Sequence, residues 1–119
     1  ELDPANFAKL DDEVQVNSFV RLGDQLWMIG APDGRVAVYD FGTEELTHLP
    51  YLDYGSGRLL YRPEDGMIYS NMAGWIVRID PRTHEQTLMA SYPGSQGCAL
   101  SGEWLYAFAG ARLLRLRVG

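Results

Sequence analysis

Apolar residues in this chain fall into short blocks separated by polar, glycine-bearing turns, and nowhere recur at the spacing of an amphipathic helix. Two kinds of block alternate. Segments such as 26–31, 35–39 and 75–79 are near-continuously apolar, the pattern of strands covered on both faces. Segments such as 45–50 and 85–91 alternate polar and apolar residues, as in a strand with one face in solvent. The pattern predicts an all-β protein.

The blocks recur. Gly34-Arg35-Val36-Ala37-Val38-Tyr39-Asp40-Phe41-Gly42-Thr43 is followed, forty residues on, by Gly74-Trp75-Ile76-Val77-Arg78-Ile79-Asp80-Pro81-Arg82-Thr83. Each reads as glycine, a five-residue strand, then Asp-x-x-Thr. A third copy begins at Ala111 and runs through Leu116. The preceding strand repeats too, as Leu26-Trp27-Met28, Ile68-Tyr69-Ser70 and Leu105-Tyr106-Ala107, and Gly23-Asp24 aligns with Gly102-Glu103. A period near forty residues is the signature of a repeat architecture built from one supersecondary unit. Each unit is expected to hold strands A, B and C and a more polar outer strand D. Asp40 and Asp80 suit the C–D turn, where a carboxylate accepts from backbone N–H groups two residues on and Pro81 presets the following φ.

Leu2-Asp3-Pro4-Ala5-Asn6 matches the Asp80 turn, which predicts that Phe7 to Val16 forms a D strand whose own A, B and C strands do not precede it. The expected tally is D, ABCD, ABCD, ABC. Residues 1–17 would supply the outer strand of a split unit, 18–56 a first complete unit, 57–96 a second, and 97–119 the A–C strands of a third, all within one domain.

The stretch Gly66-Met67-Ile68-Tyr69-Ser70-Asn71 followed by Ile76-Val77-Arg78-Ile79-Asp80-Pro81-Arg82-Thr83 resembles the repeats of the YVTN, NHL and gluconolactonase-like group of β-propellers. The resemblance implies a partial propeller of about three four-stranded antiparallel blades. Such a fold hosts lactonases, lyases, scaffolds and binding modules alike, so fold alone selects no activity. Three blades alone leave two apolar faces and unpaired edges, which drive association. The expected partner is therefore a second copy, the two D and ABC ends completing each other in a six-bladed ring, or the remainder of a longer propeller chain.

Composition narrows the classes. The chain has 119 residues, 46% apolar and 22% charged, with a net charge of −6, the balance of a globular domain. Its ten basic residues are scattered except for Arg112, Arg115 and Arg117, so neither nucleic acid nor an anionic membrane surface is an expected partner. No apolar run approaches the ~18 residues that span a bilayer, and no basic stretch leads into an apolar one as in a secretory leader. Nothing in the sequence assigns a compartment. Cys98 is the single cysteine, in a block that reads as a buried strand.

In propellers the D–A and B–C connections gather at one mouth of the central channel. The candidate ligand-binding residues there are Asn17, Asp33, Asp53, Tyr54, Asn71, Trp75, Tyr92 and Gln96, with Trp75 offering an aromatic face. Asn and Asp also serve simple turn chemistry at such positions. The gluconolactonase-like resemblance implies a divalent metal held by Glu, Asn and Asp, for which only Asn17 and Asn71 are suitably placed. No catalytic set is assigned and no cofactor is expected, Ca²⁺ or Mg²⁺ being the alternative. His48 and His84 read as surface residues on the outer rim. The sequence favours a binding or scaffold module; the alternative is a lactonase- or lyase-like enzyme with a channel metal.

Overall fold

A computed structural model describes residues 15–31, 35–49, 57–72, 74–92 and 95–119. Those residues form eleven strands and no helix: β1 (Gln15–Leu22), β2 (Gln25–Ala31), β3 (Arg35–Asp40), β4 (Leu46–His48), β5 (Gly57–Arg62), β6 (Met67–Met72), β7 (Trp75–Ile79), β8 (Gln86–Ser91), β9 (Ser95–Ser101), β10 (Trp104–Ala109) and β11 (Arg112–Arg117). They pair as three antiparallel meanders, β1-β2-β3-β4, β5-β6-β7-β8 and β9-β10-β11, here called sheets 1, 2 and 3. None of the three is closed on itself. The expected four-stranded repeat is present twice in full, and a third time as three strands. The expected D strand at Phe7 to Val16 lies outside the described residues as far as Val14, and Gln15 and Val16 belong to β1 instead.

Local chemistry sets the turns. Gly23 and Gly102 follow β1 and β9 with φ of 57° and 58°, the left-handed region that a glycine at the first central position of a two-residue hairpin adopts without a Cβ penalty. The turn after β3 is closed by Asp40, whose Oδ1 accepts from the amides of Gly42 (2.8 Å) and Thr43 (3.0 Å), while Thr43 Oγ1 accepts from the amide of Glu45 at 3.4 Å. The turn after β7 repeats this with Asp80 accepting from Arg82 N at 2.9 Å and Thr83 Oγ1 from Glu85 N at 3.2 Å. These amide donors hold both carboxyls below the usual carboxylate range, with Arg82's own guanidinium adding to the effect at Asp80. In each copy the residue after the Thr, Glu44 or His84, takes a left-handed φ of 59° or 65°.

The sheets stack in chain order. β5 packs against β1 and β2, and β9 against β5 and β6, so the first strand of each sheet lies beside the first strand of the next. Alternation along each strand gives every sheet two faces. One, termed leading, meets the following sheet; the other, termed trailing, meets the preceding one. Trp27, Ile29, Val36 and Val38 on the leading face of sheet 1 interlock with Leu59, Ile68, Val77 and Ile79 on the trailing face of sheet 2. Tyr69 and Ile76 on the leading face of sheet 2 meet Leu105, Ala107, Leu100 and Cys98 of sheet 3. Each fully buried aliphatic side chain contributes about 1.5–3 kcal/mol, so these two interfaces carry most of the hydrophobic stabilisation of the stack.

The repeat-equivalent aromatics Trp27, Tyr69 and Tyr106 obey the same rule. Trp27 and Tyr69 are fully buried against the next sheet. Tyr106 alternates with buried Leu105 and Ala107 and so points to the leading side of sheet 3, where it is half-buried. Beside it, Phe108 and Leu113 form a direct cross-strand pair and are 58% and 61% exposed.

Candidate functional site

In an antiparallel meander the β2–β3, β6–β7 and β10–β11 connections fall at one end of the stack, together with the starts of β1, β5 and β9. This is the end where the sequence places its candidate residues. Asp33, Asp53 and Tyr54 lie outside the described residues. Asn17 and Gln96 were expected in connections, and the structure places their backbones within strands β1 and β9. The ladder of β1 on β2 shifts register between Val16 and Ser18, and that of β9 on β10 shifts opposite Ala107 and Phe108. A bulge lets a strand continue while breaking its alternation, which is why these segments read as connections.

The structure gathers Asn71 and Tyr92 around Gly74. Asn71, 4% exposed, accepts from the Gly74 amide through Oδ1 at 3.2 Å, and the Tyr92 amide donates to the Gly74 carbonyl at 2.9 Å. Asn71 thus closes the β6–β7 turn, and its oxygen is engaged there. Tyr92 accepts a hydrogen bond on its hydroxyl from Arg112 Nη1 at 3.1 Å, tying the end of sheet 2 to sheet 3. Trp75, half-buried, packs against the aliphatic core between sheets 1 and 2. Among the described residues no three His, Cys, Asp or Glu side chains come together to hold a metal ion. Burial raises the Cys98 thiol above its ordinary pKa, against weaker opposing effects of the Asn71 backbone and the Arg58 charge, which keeps it in the protonated, poorly nucleophilic form.

Three arrangements escaped the sequence reading. The first is a polar clamp at the opposite end of the interface between sheets 2 and 3. Arg62, 7% exposed, donates through Nε to the Gly102 carbonyl at 3.0 Å and pairs through Nη1 with Asp65 Oδ2 at 3.0 Å. Asp65 also accepts from the Met67 amide at 2.9 Å and the Tyr69 hydroxyl at 2.7 Å. Burial alone would raise the Asp65 carboxyl, but Tyr69, the Met67 amide and Arg62 outweigh it and hold it below the usual range. Tyr69 is pushed up to about 12 by its burial and by the neighbouring carboxylate. The second is His84, read as a surface residue: it is half-buried and meets the Trp27 ring edge-on at 5.3 Å, so the turn after β7 seats on sheet 1.

The third is an apolar cleft of about 210 Å³ between sheets 2 and 3, lined on one side by Ile76 and Ala90 and on the other by Leu105, Ala107, Leu114 and Leu116, with Tyr92 and Arg115 also contributing. It lies under β11, the outer strand of sheet 3, on the side where β4 and β8 complete the other two sheets. A lining mainly of small and medium aliphatic residues suits an apolar side chain. No protein-family model matches the chain, and no curated protein matches it.

Proposed function

We propose that the chain is a β-propeller-type binding or scaffold module, acting as part of a ring that closes through a second copy or through further blades of the same chain. The observation that supports this most directly is the order of the stack. First strands neighbour first strands, and each sheet turns the same repeat position, Trp27 or Tyr69, into the sheet that follows it. In this reading the leading face of sheet 3, with Tyr106, Phe108 and Leu113, awaits the trailing face of a further sheet. Phe19, 68% exposed on the trailing side of sheet 1, marks the complementary surface. Ligand recognition is assigned to the end of the stack that carries Asn71 and Tyr92, with Asn17, Asp33, Asp53, Tyr54, Trp75 and Gln96 as its further candidate residues.

The test is Phe108→Asp, at a position 58% exposed in the chain, with circular dichroism as the check that the variant folds. Light scattering at micromolar concentration should show association in the parent chain and a mass of 13.3 kDa in the variant. A parent chain that stays at that mass while folded would overturn closure through a second copy. Turnover of lactone or ester substrates that is abolished by replacing Asp33 or Asp53 would overturn the non-catalytic reading.

A further inference from the structure

Sheet 3 differs from its neighbours at one place, the outer edge of β11. In sheets 1 and 2 the third strand is covered by β4 and β8 respectively; among the described residues none covers β11. Its N–H and C=O groups form a ready template for another strand. The apolar cleft opens beside that edge. The edge strand also carries the one basic cluster of the chain. Arg112 lies on its trailing side against Tyr92, and Arg115 and Arg117 lie on its leading side by Trp104, Arg115 stacking 4.0 Å from the ring centroid. Arg117 also pairs with exposed Glu103 at 3.0 Å, a contact worth little by itself. Basic groups on both faces of an edge that no described residue covers suit an acidic extended segment with apolar residues for the cleft.

We infer that this edge accepts residues 7–14 of a second copy of the chain as a fourth strand of sheet 3. The proposal rests on the ring reading and names the contact that would hold it. The segment Phe7-Ala8-Lys9-Leu10-Asp11-Asp12-Glu13-Val14 lies outside the described residues; it carries three carboxylates against the three guanidinium groups and supplies Phe7, Leu10 and Val14 as apolar residues. Its position in the chain agrees. Sheet 2 reaches from its outer strand β8 to the first strand of the next sheet through three residues, 92–94. At the offset that sets Gly23-Asp24 on Gly102-Glu103, β8 falls on residues 7–12 and its connection on 13–15, so the copy whose sheet 1 meets the leading face of sheet 3 also brings this segment to the β11 edge.

The test uses full-length chains with charge reversals on each side. One variant carries Asp11→Lys, Asp12→Lys and Glu13→Lys; another carries Arg112→Glu, Arg115→Glu and Arg117→Glu; a third carries all six. Light scattering over a concentration series reads the dimer dissociation constant, with circular dichroism as a check on folding. Each single-sided reversal should weaken the dimer about tenfold or more, and the six-fold variant should recover most of the loss. Circular dichroism of each variant separates loss of fold from loss of docking, so the acidic reversal tests the proposal even if the arginine variant folds poorly. A dimer indifferent to that reversal, yet dissociated by Phe108→Asp, overturns the strand docking and leaves the ring reading standing. A parent chain that is monomeric with β11 amides protected from hydrogen exchange overturns the second copy as the donor. A parent chain that is monomeric with those amides unprotected overturns the strand docking together with closure through a second copy.

Discussion

The two sheet-to-sheet interfaces use the same repeat positions and different chemistry. Between sheets 1 and 2 the contact is aliphatic around Trp27, whose Nε1 donates to Gln25 Oε1 at 3.1 Å within its own sheet. Between sheets 2 and 3 the equivalent Tyr69 hands its hydroxyl to Asp65, Arg62 reaches across to the Gly102 carbonyl, and smaller residues such as Ala107 leave a cleft. A repeat therefore conserves geometry more strictly than it conserves the kind of force that fills it. The first interface should respond to loss of volume, and the second to charge and pH.

The largest effect expected is for Trp27→Ala, which opens a cavity at a site with no exposure and removes the seat of His84. Chemical denaturation should show a loss of about 3–5 kcal/mol. Arg62→Met should cost about 2 kcal/mol, less than the about 3–5 of a fully buried pair because Asp65 keeps contact with water. A loss as large as that of Trp27→Ala would erase the contrast between the interfaces.

pH sharpens it further. The folded pKa of Asp65 is depressed, so its contribution is present above the unfolded carboxylate value and is lost as pH falls through the lower folded value. Tyr69 is raised from 10.0 to about 12, so its contribution is full below about pH 10 and disappears as pH rises towards 12. Tyr69→Phe should lower stability by about 1 kcal/mol at neutral pH and flatten the alkaline limb of thermal unfolding measured against pH. An unchanged alkaline limb would remove Tyr69 as its source.

The smallest effect has the opposite sign. Ser70 is fully buried towards sheet 1, and among the described residues its hydroxyl finds no hydrogen-bond partner. Ser70→Ala removes a desolvated polar group at nearly constant shape, and should be neutral or stabilise by up to about 1 kcal/mol. A clear destabilisation would show that the first interface is less purely apolar than its side chains make it.

Sequence made the strands, the meander order and the Asp-x-x-Thr turns legible because each rests on local chemistry: alternation, glycine at a left-handed position, and a carboxylate reaching amides two and three residues on. The bulges at Asn17 and beside Gln96 were not legible, since an unpaired residue breaks alternation in the same way as a connection does. His84 and Arg62 were missed for another reason. Their partners, Trp27 and the Gly102 carbonyl, stand far away in the chain and adjoin only once the sheets have stacked. Of the candidate site, Asn71 carried two readings from the start, turn chemistry and ligand binding, and the structure shows it closing the turn at Gly74.

The directional stacking of the sheets has a consequence for colloidal behaviour. A leading face fits a trailing face and not a copy of itself, so this contact is heterologous in the sense that governs polymers: repeated between molecules, it either returns to its origin after a set rotation or propagates without end. If the proposed ring closes through a second copy, a change that spoils the return while sparing the faces themselves should give fibres that lengthen with concentration.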